Sequence, residues 1–177
     1  METPEFAKSI LDFIRVNQVW AIPIVFALAF AESLAFVALL VPATFILWGV
    51  GGMIGAAGLN FWPIWLAAAL GAALGDWLSY WLGFHYHEQI ARMWPLSKYP
   101  DLMPKAKAFF EKWGAPGVFL GRFFGPLRAA VPLVAGAAQM PSAPFQFANW
   151  TSAFVWATVT LAPGAVGIDM IKSYMGW

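Results

Sequence analysis

Residues 33–75 contain no Asp, Glu, Lys or Arg, and neither do residues 129–168. A helix needs about 20 apolar residues to cross a bilayer, so each stretch has room for membrane-spanning structure. At the borders of these runs stand Glu32, Asp76, Arg122, Arg128 and Asp169. A charged side chain at the bilayer centre costs at least about 2.5–3.5 kcal/mol and persists where it is paired, wet or needed. These five residues are therefore the first candidates for working parts.

Composition supports a membrane protein. With 61% hydrophobic and 11% charged residues, including 11 Trp and 16 Phe among 177 positions, the chain has too little polar surface to clothe a water-soluble domain. The formal charge of +1 offers nothing to a polyanion, which argues against nucleic acid as a partner. Cysteine is absent, so disulfides, thiolate catalysis and cysteine metal sites are excluded.

The expected fold class is an all-α polytopic membrane protein forming a single domain over residues 1–177. The first 19 residues mix Glu2, Glu5 and Asp12 with Lys8 and Arg15, unlike the basic leader of a cleaved signal. Phe6, Ile10, Phe13 and Ile14 fall on one helical face opposite the charges, which predicts an amphipathic helix at the interface. Residues 20–84 form a first hydrophobic half, interrupted by Glu32 and Pro42, with a second helix starting at Asn60 and Pro63. A polar connector, residues 85–113, holds Arg92, Lys98, Lys105, Lys107 and Lys112, and a short amphipathic helix is expected near 104–112. Residues 114–177 form the second half: a broken stretch to Met140, a helix from Pro141 to about Leu161, and an interruption at Pro163 and Gly164.

The halves read as a diverged internal repeat. Trp20-x-x-Pro23-x-Val25-Phe26 recurs as Trp113-x-x-Pro116-x-Val118-Phe119, and Asp76 recurs at the same offset as Asp169. Repeats with a site at their interface are a plan of secondary transporters.

The most specific local chemistry runs from Phe119 to Gly136. Pro126 and Pro132 each remove a backbone donor, and Gly125 and Gly136 add freedom, so the segment is expected to enter the membrane, break and return. Broken backbone at membrane depth is tolerated where it is buried in protein or lines a wet cavity, and Arg122 and Arg128 would sit there too. Arginine's planar fork grips phosphate through two oxygens and stays protonated in a dry site. The competing reading is that both arginines pair with Glu32 and Asp76 to lock the fold.

Taken together, Glu32, the Val41-Pro42-Ala43-Thr44 turn, Gly71-Ala-Ala-Leu-Gly75-Asp76 with Tyr80-Trp-Leu-Gly83, Gly121-Arg122-Phe123, Pro126-Leu127-Arg128, Pro132, Ala135-Gly136, Met140 and Phe145 resemble the DedA (VTT-domain, SNARE-associated Golgi) family. The resemblance spans roughly residues 20–170. It implies a multi-pass protein of the bacterial inner membrane with two re-entrant helical hairpins facing each other. It also implies translocation of a phosphate-bearing lipid, such as undecaprenyl phosphate or phosphatidylethanolamine, coupled to protons or another ion gradient. By resemblance, Arg122 and Arg128 are the lipid-phosphate ligands, Glu32 and Asp76 serve ion coupling or charge pairing, and Pro42, Thr44, Gly125, Pro126, Pro132 and Gly136 are the hinges of the hairpins. One departure stands out: Pro42-Ala43-Thr44 replaces the Pro-Gly-Asp/Glu turn of several members, which leaves Glu32 to act alone or with Asp76.

Other features have plainer readings. Gly51/Gly55, Gly71/Gly75 and Gly117/Gly121/Gly125 have the spacing that lets membrane helices pack closely. His85 and His87 do not share a helical face, so a polar cluster is expected rather than a metal site. The Trp residues read mostly as interface anchors, and Asp169 reads as a surface partner of Lys172. No cofactor is implied. An enzyme would need a nucleophile beside a base, and neither histidine is embedded. A scaffold for envelope integrity and a lipid-phosphate enzyme are the two alternatives to transport. Monomer and homo-oligomer are both compatible with the sequence. Lys and Arg in the N-terminal tail and in the connector place both in the cytoplasm. That even number of crossings is at odds with the inverted halves that opposed hairpins require.

Overall fold

Glycines without side chains between apolar helices allow backbones to touch, and here they set the packing. The computed structural model describes residues 5–34, 43–92, 101–124 and 128–175. Helix α1 (Glu5–Val16) is followed by a 3-10 turn at Gln18–Trp20, α2 (Ala21–Ser33), α3 (Ala43–Ala57), α4 (Phe61–His85), α5 (His87–Arg92), α6 (Leu102–Gly121), α7 (Ala130–Ala137) and α8 (Ser142–Met175). No strand occurs among the described residues. Val41, Pro42, Gly125, Pro126 and Leu127, named above on sequence grounds, lie outside them.

Helix starts follow the local chemistry. The Asn60 side chain accepts the Trp62 backbone N–H at 3.2 Å, satisfying one free donor of α4, and Pro63 sits in the first turn, where its missing N–H costs nothing. Pro132 likewise lies in the first turn of α7. Gly114, at φ 47° and ψ −130°, bends α6 sharply, separating a polar arm from an apolar arm over 115–121. At the end of α7, Gln139 adopts φ 59° and turns the chain into α8.

Pro163 does not end α8, contrary to the interruption expected there; it lies inside one 34-residue helix. The reason is tertiary. Gly164 lets α8 meet the backbone of α3 so closely that a Cβ there would lie 2.6 Å from the Gly52 nitrogen. A lost helical hydrogen bond is tolerated where a neighbouring helix holds the segment.

Helix α4 packs against α2 and α7, while α8 packs against α3 and α6. The contacts of α4 use backbone approach: a methyl group on Gly71 would collide with the Phe26 carbonyl of α2, and one on Gly136 with the Tyr80 carbonyl of α4. Helix α1 lies against α3, with Ile14 fully buried and Phe13 exposed.

Apolar residues cover the outside as well as the inside. Trp48, Trp62, Trp77, Trp81, Phe124, Phe147 and Val159 are exposed, whereas Glu32, Asp76, Arg122, Asn149 and Ser152 are buried. That distribution suits a lipid surround. Among the described residues one helix, α4, is long and apolar enough to cross a membrane by length and composition. The apolar helices α2 and α3, with 13 and 15 residues, are each shorter than the roughly 20 needed to span.

Two apolar clusters make up the core of the described residues. One gathers Val25, Ala29, Ile46, Val50, Ala69 and Leu161; the other gathers Tyr80, Val118, Ala135, Met140 and Phe145. Along α4, Ala73 belongs to the first and Tyr80 to the second, with Asp76 between them. The polar residues thus occupy the boundary between the two clusters.

Candidate functional site

Four elements deliver one ionisable residue each to this boundary. Glu32 comes from the last turn of α2, Asp76 from the middle of α4, Arg122 from the end of α6, and Arg128 from just before α7. Arg122 forms an ion pair through Nη2 with Asp76 Oδ2, and the two side chains are only 4% and 9% exposed. Arg128 Nη1 lies 3.4 Å from Glu32 Oε1, in a pair almost as well buried. Removing one member of such a pair strands a charge and costs about 3–5 kcal/mol. The charge of Arg128 also acts on Asp76 and on Arg122, so the two pairs form one electrostatic unit.

Neutral side chains complete the unit. Arg122 Nη2 donates to Asn149 Oδ1 at 2.8 Å, and Asn149 Nδ2 donates to the Ala73 carbonyl at 2.9 Å, tying α6 to α8 and α8 to α4. Thr44 donates its hydroxyl to Glu32 Oε1, so this threonine from the first turn of α3 contacts the acid directly. The Arg128 guanidinium stands over the Trp156 ring, 4.4 Å from its centre. Below, the Tyr80 hydroxyl donates to the Met140 carbonyl at 2.6 Å while its ring stacks on Phe145 at 4.0 Å, which fixes the turn between α7 and α8.

Not every polar atom is satisfied within the described residues. Among them, Glu32 Oε2, Ser33 Oγ, Arg122 Nη1 and Arg128 Nη2 are buried without a hydrogen-bond partner. Buried donors and acceptors of this kind each forfeit about 1–3 kcal/mol, more when charged. Three of these atoms belong to members of the charge cluster itself.

Of the residues singled out on sequence grounds, Glu32, Asp76, Arg122, Arg128 and Thr44 come together. Gly136 lies within α7 at its contact with α4, and Pro132 is buried in the same helix. His85 and His87 stand apart near the end of α4; Nδ1 of each donates to a carbonyl, of Trp81 at 3.0 Å and of Phe84 at 3.1 Å. The side chain of Asp169 lies outside the described set. Two participants escaped the sequence reading. Asn149 is neutral and was missed by a search for ionisable groups, although an amide within a charge-free apolar run was the available signal. Trp156, grouped with the interface anchors, is buried at 6% exposure and serves Arg128 instead.

Fold and site together define a helical membrane protein whose interior holds two arginine–carboxylate pairs. The VTT domain model matches residues 41–166. The chain is 36% identical over 152 residues to the inner membrane protein YabI of Escherichia coli (strain K12), an overlap of 86% of this chain and 60% of that protein. It is 34% identical over 161 residues to an uncharacterised membrane protein of Buchnera aphidicola subsp. Acyrthosiphon pisum, covering 91% of this chain and 63% of the relative. With the inner membrane protein YghB of Escherichia coli (strain K12) it shares 29% identity over 145 residues, 80% of this chain and 65% of that one. No solved structure matches. The chain belongs to the VTT-domain, or DedA, family and to the bacterial inner membrane. It spans less than two thirds of the length of these curated relatives.

Proposed function

We propose that this protein translocates a phosphate-bearing lipid across the membrane, with Arg122 and Arg128 gripping the phosphate and Glu32 and Asp76 exchanging with it as the arginines' partners. One observation carries the reading: among the described residues each arginine keeps a buried guanidinium nitrogen without a partner, Nη1 of Arg122 and Nη2 of Arg128. A phosphate between the two cations would satisfy both, and protonation of a carboxylate would free an arginine to take it. Undecaprenyl phosphate and phosphatidylethanolamine both have the required group, and protons are the natural coupling ion for a site built on carboxylates.

In this reading residues 1–177 act as one membrane domain. The segments on either side of Pro42 and of Gly125-Pro126 form opposed re-entrant hairpins, hinged with help from Thr44, Pro132 and Gly136. The exchanged packing, α4 on α2 and α7, α8 on α6 and α3, is what a two-fold repeat would produce. The bond from Trp65 Nε1 to Thr158 Oγ1 at 2.9 Å joins residues 93 apart, the same offset as the repeated Trp-x-x-Pro motif. Both observations support the repeat.

The decisive experiment is headgroup-resolved lipid flipping in proteoliposomes, with and without a pH gradient. Flipping of a phosphate lipid that responds to the gradient supports the proposal; no flipping above protein-free vesicles refutes it. A second reading, a membrane scaffold, draws on the closed ion pairs, which lock four segments together without any ligand. Scaffolding predicts that function survives loss of phosphate binding. A lipid-phosphate enzyme is the weaker alternative, and release of inorganic phosphate by the purified protein would reveal it.

A further inference from the structure

Beside the arginine site, the apolar arm of α6 and the first part of α8 diverge to leave an open groove of about 350 Å³. Its walls are Pro116, Phe119 and Leu120 on α6 and Phe147, Ala148 and Thr151 on α8. The one hydroxyl in the wall is turned away: Thr151 Oγ1 donates to the Phe147 carbonyl at 2.7 Å and to the Ala148 carbonyl at 3.2 Å within its own helix. The groove therefore offers hydrocarbon and a methyl group, and no free hydrogen bond.

Its position follows from the site. Phe119 is three residues before Arg122, and therefore its neighbour on the helix surface, and Ala148 directly precedes Asn149. The same two helices that form the groove are joined at one end by the Arg122–Asn149 bond. A molecule with a phosphate at the arginines and an apolar extension would find the extension's path along this seam. The larger groove of about 450 Å³, lined by Ile54, Thr158, Ala162 and Val166, has no arginine within four residues of its lining positions, and its Thr158 hydroxyl accepts from Trp65.

We propose that the α6/α8 groove is the binding site for one hydrocarbon tail of the lipid whose phosphate meets Arg122. The inference rests on the phosphate reading above and adds a tail subsite to it. Headgroup and tail are then held by the same pair of helices, and substrate selection depends on chain as well as charge.

The test uses the full chain in phosphatidylcholine nanodiscs and three probes: long-chain phosphatidic acid, dihexanoyl phosphatidic acid and long-chain diacylglycerol. Thr151→Trp fills the groove from its exposed edge, and Ala115→Phe does so from α6 should the first variant fail to fold. Ala162→Trp, in the other groove, is the control. Either filling variant should weaken long-chain phosphatidic acid by about tenfold, as expected for displacing a few buried methylenes, and leave the dihexanoyl form and the control variant unchanged. A diazirine in the acyl chain of phosphatidic acid should label residues 115–120 and 147–151. Unchanged long-chain binding in both filling variants, or labelling elsewhere, overturns the proposal. So does a change of oligomeric mass with lipid binding intact, which makes the groove a contact between copies. If wild type holds diacylglycerol as tightly as phosphatidic acid and the filling variants weaken both, the tail site stands and the phosphate reading falls.

Discussion

The guanidinium of Arg128 faces the indole of Trp156 at 4.4 Å while its Nη1 lies 3.4 Å from Glu32. Seven residues earlier, on the same face of α8, Asn149 holds Arg122 at 2.8 Å. Each arginine therefore has an acidic partner from the first half of the chain and a neutral partner from α8. The acids can lose their charge and the neutral partners cannot. If a carboxylate is protonated, α8 still holds the arginine in the orientation in which a ligand would meet it.

Trp156→Leu preserves an apolar side chain but removes the ring face under Arg128. A desolvated cation–π contact is worth up to about 2 kcal/mol, and Trp156→Phe should retain part of it. Thermal unfolding in detergent should rank wild type above Trp156→Phe above Trp156→Leu. Equal stability of all three would mean the stacking contributes nothing.

Asn149→Leu removes the bridge between Arg122 and the Ala73 carbonyl. The loss should be about 1–3 kcal/mol in stability, since a buried charge gives up one of its hydrogen bonds. Lipid translocation should fall as well, because Arg122 then swings on Asp76 alone. A fully active, fully stable Asn149→Leu protein would contradict the bridging role.

Two glycine substitutions should diverge. A methyl on Gly136 meets the Tyr80 carbonyl, so Gly136→Ala should abolish folded protein or force α7 off α4. Gly167, with nothing within 4 Å of its Cβ position, should accept alanine with a gain of about 0.5–1 kcal/mol in helix stability. Expression and melting temperature of the pair decide this directly; a stable Gly136→Ala would refute the close α4/α7 contact.

Much of this arrangement was legible in the sequence because cost makes it visible. Glu32, Asp76, Arg122 and Arg128 interrupt runs where charge is expensive, so their gathering at one site follows from energetics. Asn60 with Pro63 announced the start of α4. Which acid pairs with which arginine was not legible, because it depends on how α2, α4, α6 and α7 cross. Pro163 misled for a related reason: its local preference is to break a helix, and the contact of Gly164 with α3 overrides it. Trp156 and Asn149 were hidden because neither residue type is costly enough in an apolar helix to stand out.

Glu32→Gln keeps an oxygen for Thr44 and Arg128 but cannot titrate. If Glu32 carries the coupling proton, flipping by this variant should lose its dependence on pH while the protein stays folded. PH dependence identical to wild type would move the coupling role to Asp76.

On the proposed reading the two arginines grip phosphate by their planar forks as well as by their charge. Lysine preserves the charge that pairs with Asp76 and Glu32 but loses the planar two-pronged fork. Flipping of a phosphate lipid should be measured in proteoliposomes for Arg122→Lys and Arg128→Lys, with membrane insertion of each confirmed separately. Loss of one charge-assisted hydrogen bond, about 1.5–3 kcal/mol, predicts a fall of about tenfold or more in each variant. Wild-type flipping by both lysine variants would contradict the claim and leave the arginines as structural ion pairs.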